Sequence, residues 1–234
     1  MRYLSHPITE SMSIYGGNAD LGLMPVKNIA QGDSCNSWRF SLENHWGTHV
    51  DCPAHFFVEG EKVVDYSPEF WWFRSPQVIQ IEAKPGQVIT RENFSCDLDP
   101  ETDLLLFQSG WGRFRGKEIY IRRNPGLHPS LGLWLRQDFP AVRAIGIDWI
   151  SISSFEHRDI GREAHKAFLN PDGKGHPILI IEDMNLSGDL HNLKEVWVAP
   201  LLIEGIDSAP CTVIGIFDDE QVTIQEAEAR IQKS

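Results

Sequence analysis

At 234 residues the chain is long enough for one domain with a full hydrophobic core and short for two. Its usage, 41% hydrophobic and 23% charged, is that of a globular protein and argues against disorder or a fibrous repeat. The formal charge of −12, from 33 acidic and 21 basic residues, repels phosphate backbones, so no nucleic-acid partner is expected.

The first segment, MRYLSHPITESMSIYGG (1–17), lacks the apolar core of a signal peptide. No later stretch approaches the roughly 20 apolar residues that span a bilayer, so no membrane partner is expected either. Cys35, Cys52, Cys96 and Cys211 lie far apart with no C-x-x-C pair, which suits reduced thiols and a cytoplasmic location. Residues 45–56, HWGTHVDCPAHF, alternate in a way that fits a short strand ended by Pro53. Further strands are expected at VIQIEA (78–83) and DLLLFQS (103–109). A helix follows at PSLGLWLRQDF (129–139), with Pro in its first turn and Leu131, Trp134 and Leu135 on one face. AIGID (144–148) reads as a strand. DIGREAHKAFL (159–169) reads as a helix with Ile160, Ala164, Ala167 and Phe168 in an apolar stripe. ILIIED (178–183), WVAPLLIEG (197–205) and CTVIGIF (211–217) complete the strands, and EQVTIQEAEARIQKS (220–234) is a terminal helix or a frayed end. Strands outnumber helices, so the expectation is a single α/β domain over residues 1–234 with a largely β core, its strand order unspecified.

The segment HWGTHVDCPAHF holds His45, His49, Asp51 and His55 in eleven positions. On an extended strand alternate side chains share a face about 7 Å apart, which lets His49 and Asp51 converge on one ion while Thr48 and Cys52 point away. Gly47 permits the backbone bend that brings His45 to the same side. Imidazole with carboxylate suits Zn²⁺, Mn²⁺ or Fe²⁺. Further ligands would come from a pool including His128, His157, His165, His176, His191, Glu156, Asp159, Glu182 and Asp183. Glu182 closes an apolar strand, where a carboxylate needs a reason to be.

The pattern His45-x-Gly47-Thr48-His49-x-Asp51-x-Pro53-x-His55 resembles the signature of the cyclase family of metal-dependent hydrolases, which includes bacterial kynurenine formamidases and isatin hydrolases. LSHPI (4–8), LLLFQSGWGRF (104–114), GIDWISI (146–152), EAHKAFL (163–169), IIEDMNLSG (180–188) and APLLIEGIDSAPCTVI (199–214) are similar to segments along the rest of that family. The resemblance implies a β-rich swivelling β/β/α domain that assembles as a homodimer or homotetramer. It implies His45, His49, Asp51, His165 and Glu182 as ligands to one or two ions, Mn²⁺ or Zn²⁺, and His55 as general acid/base. The activity implied is that of a metal-dependent amidohydrolase opening an amide or cyclic amide, of the arylformamidase or isatin hydrolase kind. Two departures stand out. Where the family often has Ser-x-Asp after its Gly-Ile-Asp strand, this chain reads ISISSFEHRD, and NPDGKGHP (170–177) is inserted between His165 and Glu182, offering His176 as a rival ligand.

The substrate expected is a small molecule, with an aromatic one favoured by Trp46, Phe56, Phe57, Trp71, Trp72 and Phe73. Trp46, between two ligands, is the stronger pocket candidate, since Trp71, Trp72 and Phe73 serve equally well in a core or a subunit interface. Gln108 and Ser109 are further candidates to reach the site. Rival readings are a cyclase, lactonase or dehydratase on the same metal, a metal-binding module without turnover, and a cysteine hydrolase using Cys52. A serine hydrolase lacks its G-x-S-x-G elbow, which FQSGWG does not supply.

Overall fold

A computed structural model describes residues 1–18, 21–94 and 97–218, so Cys96 and the expected terminal helix lie outside the described residues. Nine strands form one mixed sheet: β1 (Arg2–Tyr3), β2 (His49–Asp51), β3 (Trp72–Phe73), β4 (Pro76–Gln80), β5 (Leu104–Gln108), β6 (Ala144–Ile147), β7 (Leu179–Glu182), β8 (Leu193–Pro200) and β9 (Ser208–Phe217). Their order is β3-β8-β9-β2-β7-β6-β5-β4, with β1 added antiparallel to β9, and the sheet curls until it is nearly closed. β4 to β7 run parallel; β2 is antiparallel to both its neighbours, β7 and β9. The helices are α1 (Glu118–Arg122), α2 (Pro129–Asp138) and α3 (Arg158–Leu169).

The parallel strands read as unbroken apolar runs because both of their faces are buried. Leu105, Phe107, Ile145, Ile147 and Ile180 face one core, which Leu131 and Leu135 of α2 and Ala164 and Phe168 of α3 complete. Leu104, Leu106, Ala144, Leu179 and Ile181 face the other, closed by Val196 and Val198 of β8 and Val213 of β9. The helices sit close because Gly132 offers no Cβ; one built there would lie 2.9 Å from the Phe168 ring.

The expected strands and helices appear with shifted ends. β4 begins two residues before Val78, and Ile160 of α3 is 36% exposed rather than part of the buried stripe. The largest correction is WVAPLLIEG: β8 spans Leu193–Pro200, and Leu201, Leu202 and Ile203 are exposed beyond it. Apolarity alone does not mark the strand's end; the ladder to β9 stops where Pro200 pairs with Cys211. No helix among the described residues is long and apolar enough to cross a membrane.

Candidate metal centre

Five side chains from four elements meet on the α2/α3 face of β2 and β7. The ladder sets Glu182 opposite His49 and Ile180 opposite Asp51. The strand lasts only to Asp51; Pro53–His55 then form a 3₁₀ turn that swings His55 back over the site. Upstream, Gly47 takes φ +69°, a left-handed conformation that glycine adopts without strain, and the chain turns so that His45 faces Asp51. α3 delivers His165 from the other side.

The donor atoms lie close together. His45 Nδ1 lies 3.1 Å and His49 Nε2 3.5 Å from Asp51 Oδ1. His165 Nε2 is 3.7 Å from Asp51 Oδ2 and 3.6 Å from Glu182 Oε1, and His49 Nε2 is 3.6 Å from Glu182 Oε2. Three overlapping triplets each bring their ligand atoms within 4.8 Å of one another: His45, His49 and Asp51; Asp51, His55 and His165; His45, His55 and Asp207. His49 and His165 are oriented by backbone carbonyls, their Nδ1 atoms lying 2.9 Å from Gly47 O and 2.8 Å from Gly161 O, which turns each Nε2 inward. Glu182 Oε1 accepts hydrogen bonds from Ile152 N (2.7 Å) and Ser151 Oγ (3.1 Å).

One atom tests whether this set fits a cation. Asp51 Oδ1 is buried and has no hydrogen-bond partner among the described residues. An orphaned carboxylate oxygen is costly unless something positive completes it, and three imidazoles with two carboxylates are a donor set that divalent first-row metals accept. The electrostatics point the same way. Burial alone would disfavour protonating His45, yet the hydrogen bond to Asp207 and the charge of Asp51 outweigh it and raise its pKa to about 10. His165 is raised too, burial being outweighed by Glu182 and Asp51, while Asp51 itself is held well below the usual carboxylate range by its imidazole neighbours despite complete burial.

The exposure is one-sided. The side chains of Asp51, His49, Glu182 and His165 are at most 6% exposed, whereas those of His45, His55 and Asp207 are 31%, 26% and 31% exposed.

The Cyclase family model matches residues 3–154, well over half of the chain. The chain belongs to the cyclase family. Among its curated relatives, a kynurenine formamidase of Geobacillus thermodenitrificans is 26% identical over 209 residues, 88% of this chain and 92% of the relative. One from Bacillus cereus is 24% identical over 220 residues, covering 90% and 94%. Isatin hydrolase A from Labrenzia aggregata, solved bound to benzyl benzoate, superposes with a TM-score of 0.74 at 18% identity, covering 93% of each chain. A potential metal-dependent hydrolase with cyclase activity gives 0.69 at 21% identity, covering 94% and 98%. These two share this chain's cyclase fold.

In this member of the cyclase family all five proposed ligands and His55 lie together. Several of the other sequence candidates are engaged elsewhere. Trp46 is buried, at 8% exposure, and the aromatic ring seen against the site is Phe56, stacked on His165 at 5.0 Å and edge-on to His55 at 4.7 Å. Trp71 and Phe73 pack in the β8/β9 core, and Trp72 stacks on Trp197 at 4.8 Å. Cys52 is in that core as well, on the face opposite His49 and Asp51, and burial pushes its thiol pKa up, which removes it as a nucleophile. His176 bonds to Pro140 O at 2.7 Å and is no rival ligand. Gln108 donates to Gly188 O at 2.8 Å, and Ser109 Oγ donates to Asp148, so neither serves the cage. The departing segment ISISSFEHRD gives the site no acid: Glu156 pairs with Arg123 at the surface, and the segment contributes Ser151 and the Ile152 N–H to Glu182 instead.

Asp207 is a site residue that the sequence pattern does not reveal. Its Oδ2 lies 2.7 Å from His55 Nδ1 and 3.3 Å from His45 Nε2. The only local signal is the polar pair Asp207-Ser208 opening an apolar strand.

Proposed function

We propose that the protein is a metal-dependent hydrolase that cleaves the C–N bond of an amide or cyclic amide in a small molecule. The observation that carries this reading is the Asp51 Oδ1 left without a hydrogen-bond partner among the described residues, beside His45 and His49, with His165 against the other carboxylate oxygen and His55 alongside. The relatives named kynurenine formamidase and the fold shared with isatin hydrolases favour an arylformamide or isatin-like substrate.

His45, His49, Asp51, His165 and Glu182 would hold the ion, Mn²⁺ or Zn²⁺, and Asp51 can face two ions because its two oxygens lie toward different imidazoles. A divalent ion there supplies Lewis acidity, which polarises a carbonyl and lowers the pKa of water. The remaining chemistry belongs to the chain. His55 accepts a proton from water as the water oxygen bonds to the carbonyl carbon. It then returns that proton to the departing nitrogen as the C–N bond breaks, giving an acid and an amine, or one ring-opened product. Phe56 offers the flat apolar face against which an aryl group packs.

The test is metal analysis of the purified protein, followed by assay of N-formylkynurenine, isatin and a lactone panel with Mn²⁺ and Zn²⁺ supplied. Metal-dependent turnover of the amides supports the reading. Turnover of lactones alone would replace it with a lactonase on the same site, and a metal-loaded protein inert to every compound would refute it.

A further inference from the structure

The four imidazoles of the site are held in two different ways. His49 and His165 are anchored by Gly47 and Gly161 carbonyls, neutral acceptors fixed in the backbone. His45 and His55 instead share one oxygen of a side chain, Oδ2 of Asp207, at 3.3 and 2.7 Å.

That carboxylate is itself held firmly. Ser208 pairs with Asp51 in the β2/β9 ladder, and Cys52 N donates to Asp207 O at 3.1 Å, so Asp207 is fixed beside the cage by the sheet. Asn44 Nδ2 donates to Asp207 Oδ1 and to Ser208 Oγ, each at 2.8 Å. Ser208 Oγ lies 2.9 Å from His45 Nε2 and donates to Asp207 Oδ2 at 3.3 Å.

An ionised carboxylate only accepts. Both ring nitrogens that face Asp207 must therefore carry hydrogen, and the geometry fixes the rest. With Nδ1–H committed to Asp207, His55 keeps its lone pair on Nε2. With Nε2–H committed, His45 presents Nδ1 to Asp51, 3.1 Å away, where a cation belongs.

We infer that Asp207 is a positioning residue that sets the tautomers of two imidazoles at once, making Nδ1 of His45 a ligand atom and Nε2 of His55 the proton-accepting atom. The inference rests on the proposed hydrolase reading for its kinetic arm only. A single carboxylate thus ties metal capture to proton transfer. Partners of this kind commonly change affinity or activity by about 10- to 100-fold when removed.

The experiment compares the parent with Asp207→Asn, Asp207→Ala and Asp207→Glu, all loaded with Zn²⁺. Long-range ¹H–¹⁵N NMR of the imidazoles reads which ring nitrogen of His45 and His55 is protonated and which binds zinc. Competition with a chromophoric chelator gives the zinc affinity. The parent is expected to show Nδ1–H on His55 and zinc on Nδ1 of His45. Asp207→Asn, whose amide can donate, is expected to lose that uniform pattern. Its zinc affinity should fall about 10-fold or more, and kcat should fall further with KM little changed. Asp207→Glu should recover part of each. If Asp207→Asn keeps both tautomers and its zinc affinity, the inference is wrong. A lowered melting temperature with those two readouts intact would mark Asp207 as merely structural and is equally fatal. Should Asp207→Ala fail to fold, Asp207→Asn, which keeps the shape of the side chain, decides on the same two readouts. The NMR and chelator readouts stand even if no amide is turned over, so failure of the hydrolase reading is distinguishable from failure of this one.

Discussion

Glu182 and His49 are register partners across the antiparallel β2/β7 ladder, and their side chains meet with Nε2 and Oε2 3.6 Å apart on the sheet face turned toward α3. Backbone pairing thus sets the spacing between two proposed ligands. Glu182→Gln keeps the shape but halves the carboxylate charge of the cage. Its Zn²⁺ affinity is expected to fall about 10-fold or more, measured by chelator competition, while the metal-free fold survives. Retention of parental affinity would remove Glu182 from the ligand set.

His55 and Asp51 should separate when mutated. His55→Ala is expected to keep stoichiometric metal and lose about 10²- to 10⁴-fold in kcat, the usual worth of a positioned acid/base. Asp51→Ala should lose metal as well as turnover, because its carboxylate faces His45, His49 and His165 together. Metal content by elemental analysis, set beside kcat, separates the two; parental turnover in His55→Ala would end its acid/base assignment.

The raised pKa of His45 gives a pH dependence with a definite sign. A group with a pKa of about 10 in the folded protein and 6.5 in the unfolded chain holds more protons when folded. Its stabilisation is complete below about pH 6.5 and drains away as pH rises toward 10. The melting temperature of metal-free protein should fall across that window, and less steeply in His45→Gln. Metal must displace the same proton, so Zn²⁺ affinity should increase with pH over the same range, by up to about tenfold per unit for each proton released. A pH-independent affinity would show that His45 binds no metal.

Asp183, next to the proposed ligand Glu182, is buried at φ +51° and is held by Arg115 and Tyr120. Arg115 Nη2 donates to Asp183 Oδ2 at 2.8 Å, and the Tyr120 hydroxyl donates to Oδ1. Arg115→Ala would strand this carboxylate in the interior, and a loss of about 3 kcal/mol in unfolding free energy is expected from denaturant titration. A change under about 0.5 kcal/mol would show that Asp183 reaches solvent or another cation.

The proposed ligands from His45 to Asp51 are legible in the sequence because they are local: their spacing, Gly47 and Pro53 are all within reach of simple strand and turn geometry. His165 and Glu182 come from the family resemblance, since nothing in the spacing of an isolated histidine or of a strand-end acid says what it will face. Asp207 is invisible for a different reason. Its two imidazole partners lie 152 and 162 positions earlier and are reached only through the pairing of Ser208 with Asp51. The strand runs can be found, but not their order, because apolar composition is the same on either side of the antiparallel β2. Phe56 is a different case: Trp46 stands between two proposed ligands along the chain and is buried, whereas Phe56, beyond the 3₁₀ bend, lies against His165, a contact that adjacency in sequence does not reveal.

The uneven exposure of the cage has a stereochemical corollary. Its floor is closed by β2, β7 and α3, and solvent meets it along the rim of His45, His55 and Asp207. Anything that reaches the centre must arrive from one hemisphere, past the side chains of His45, His55 and Asp207.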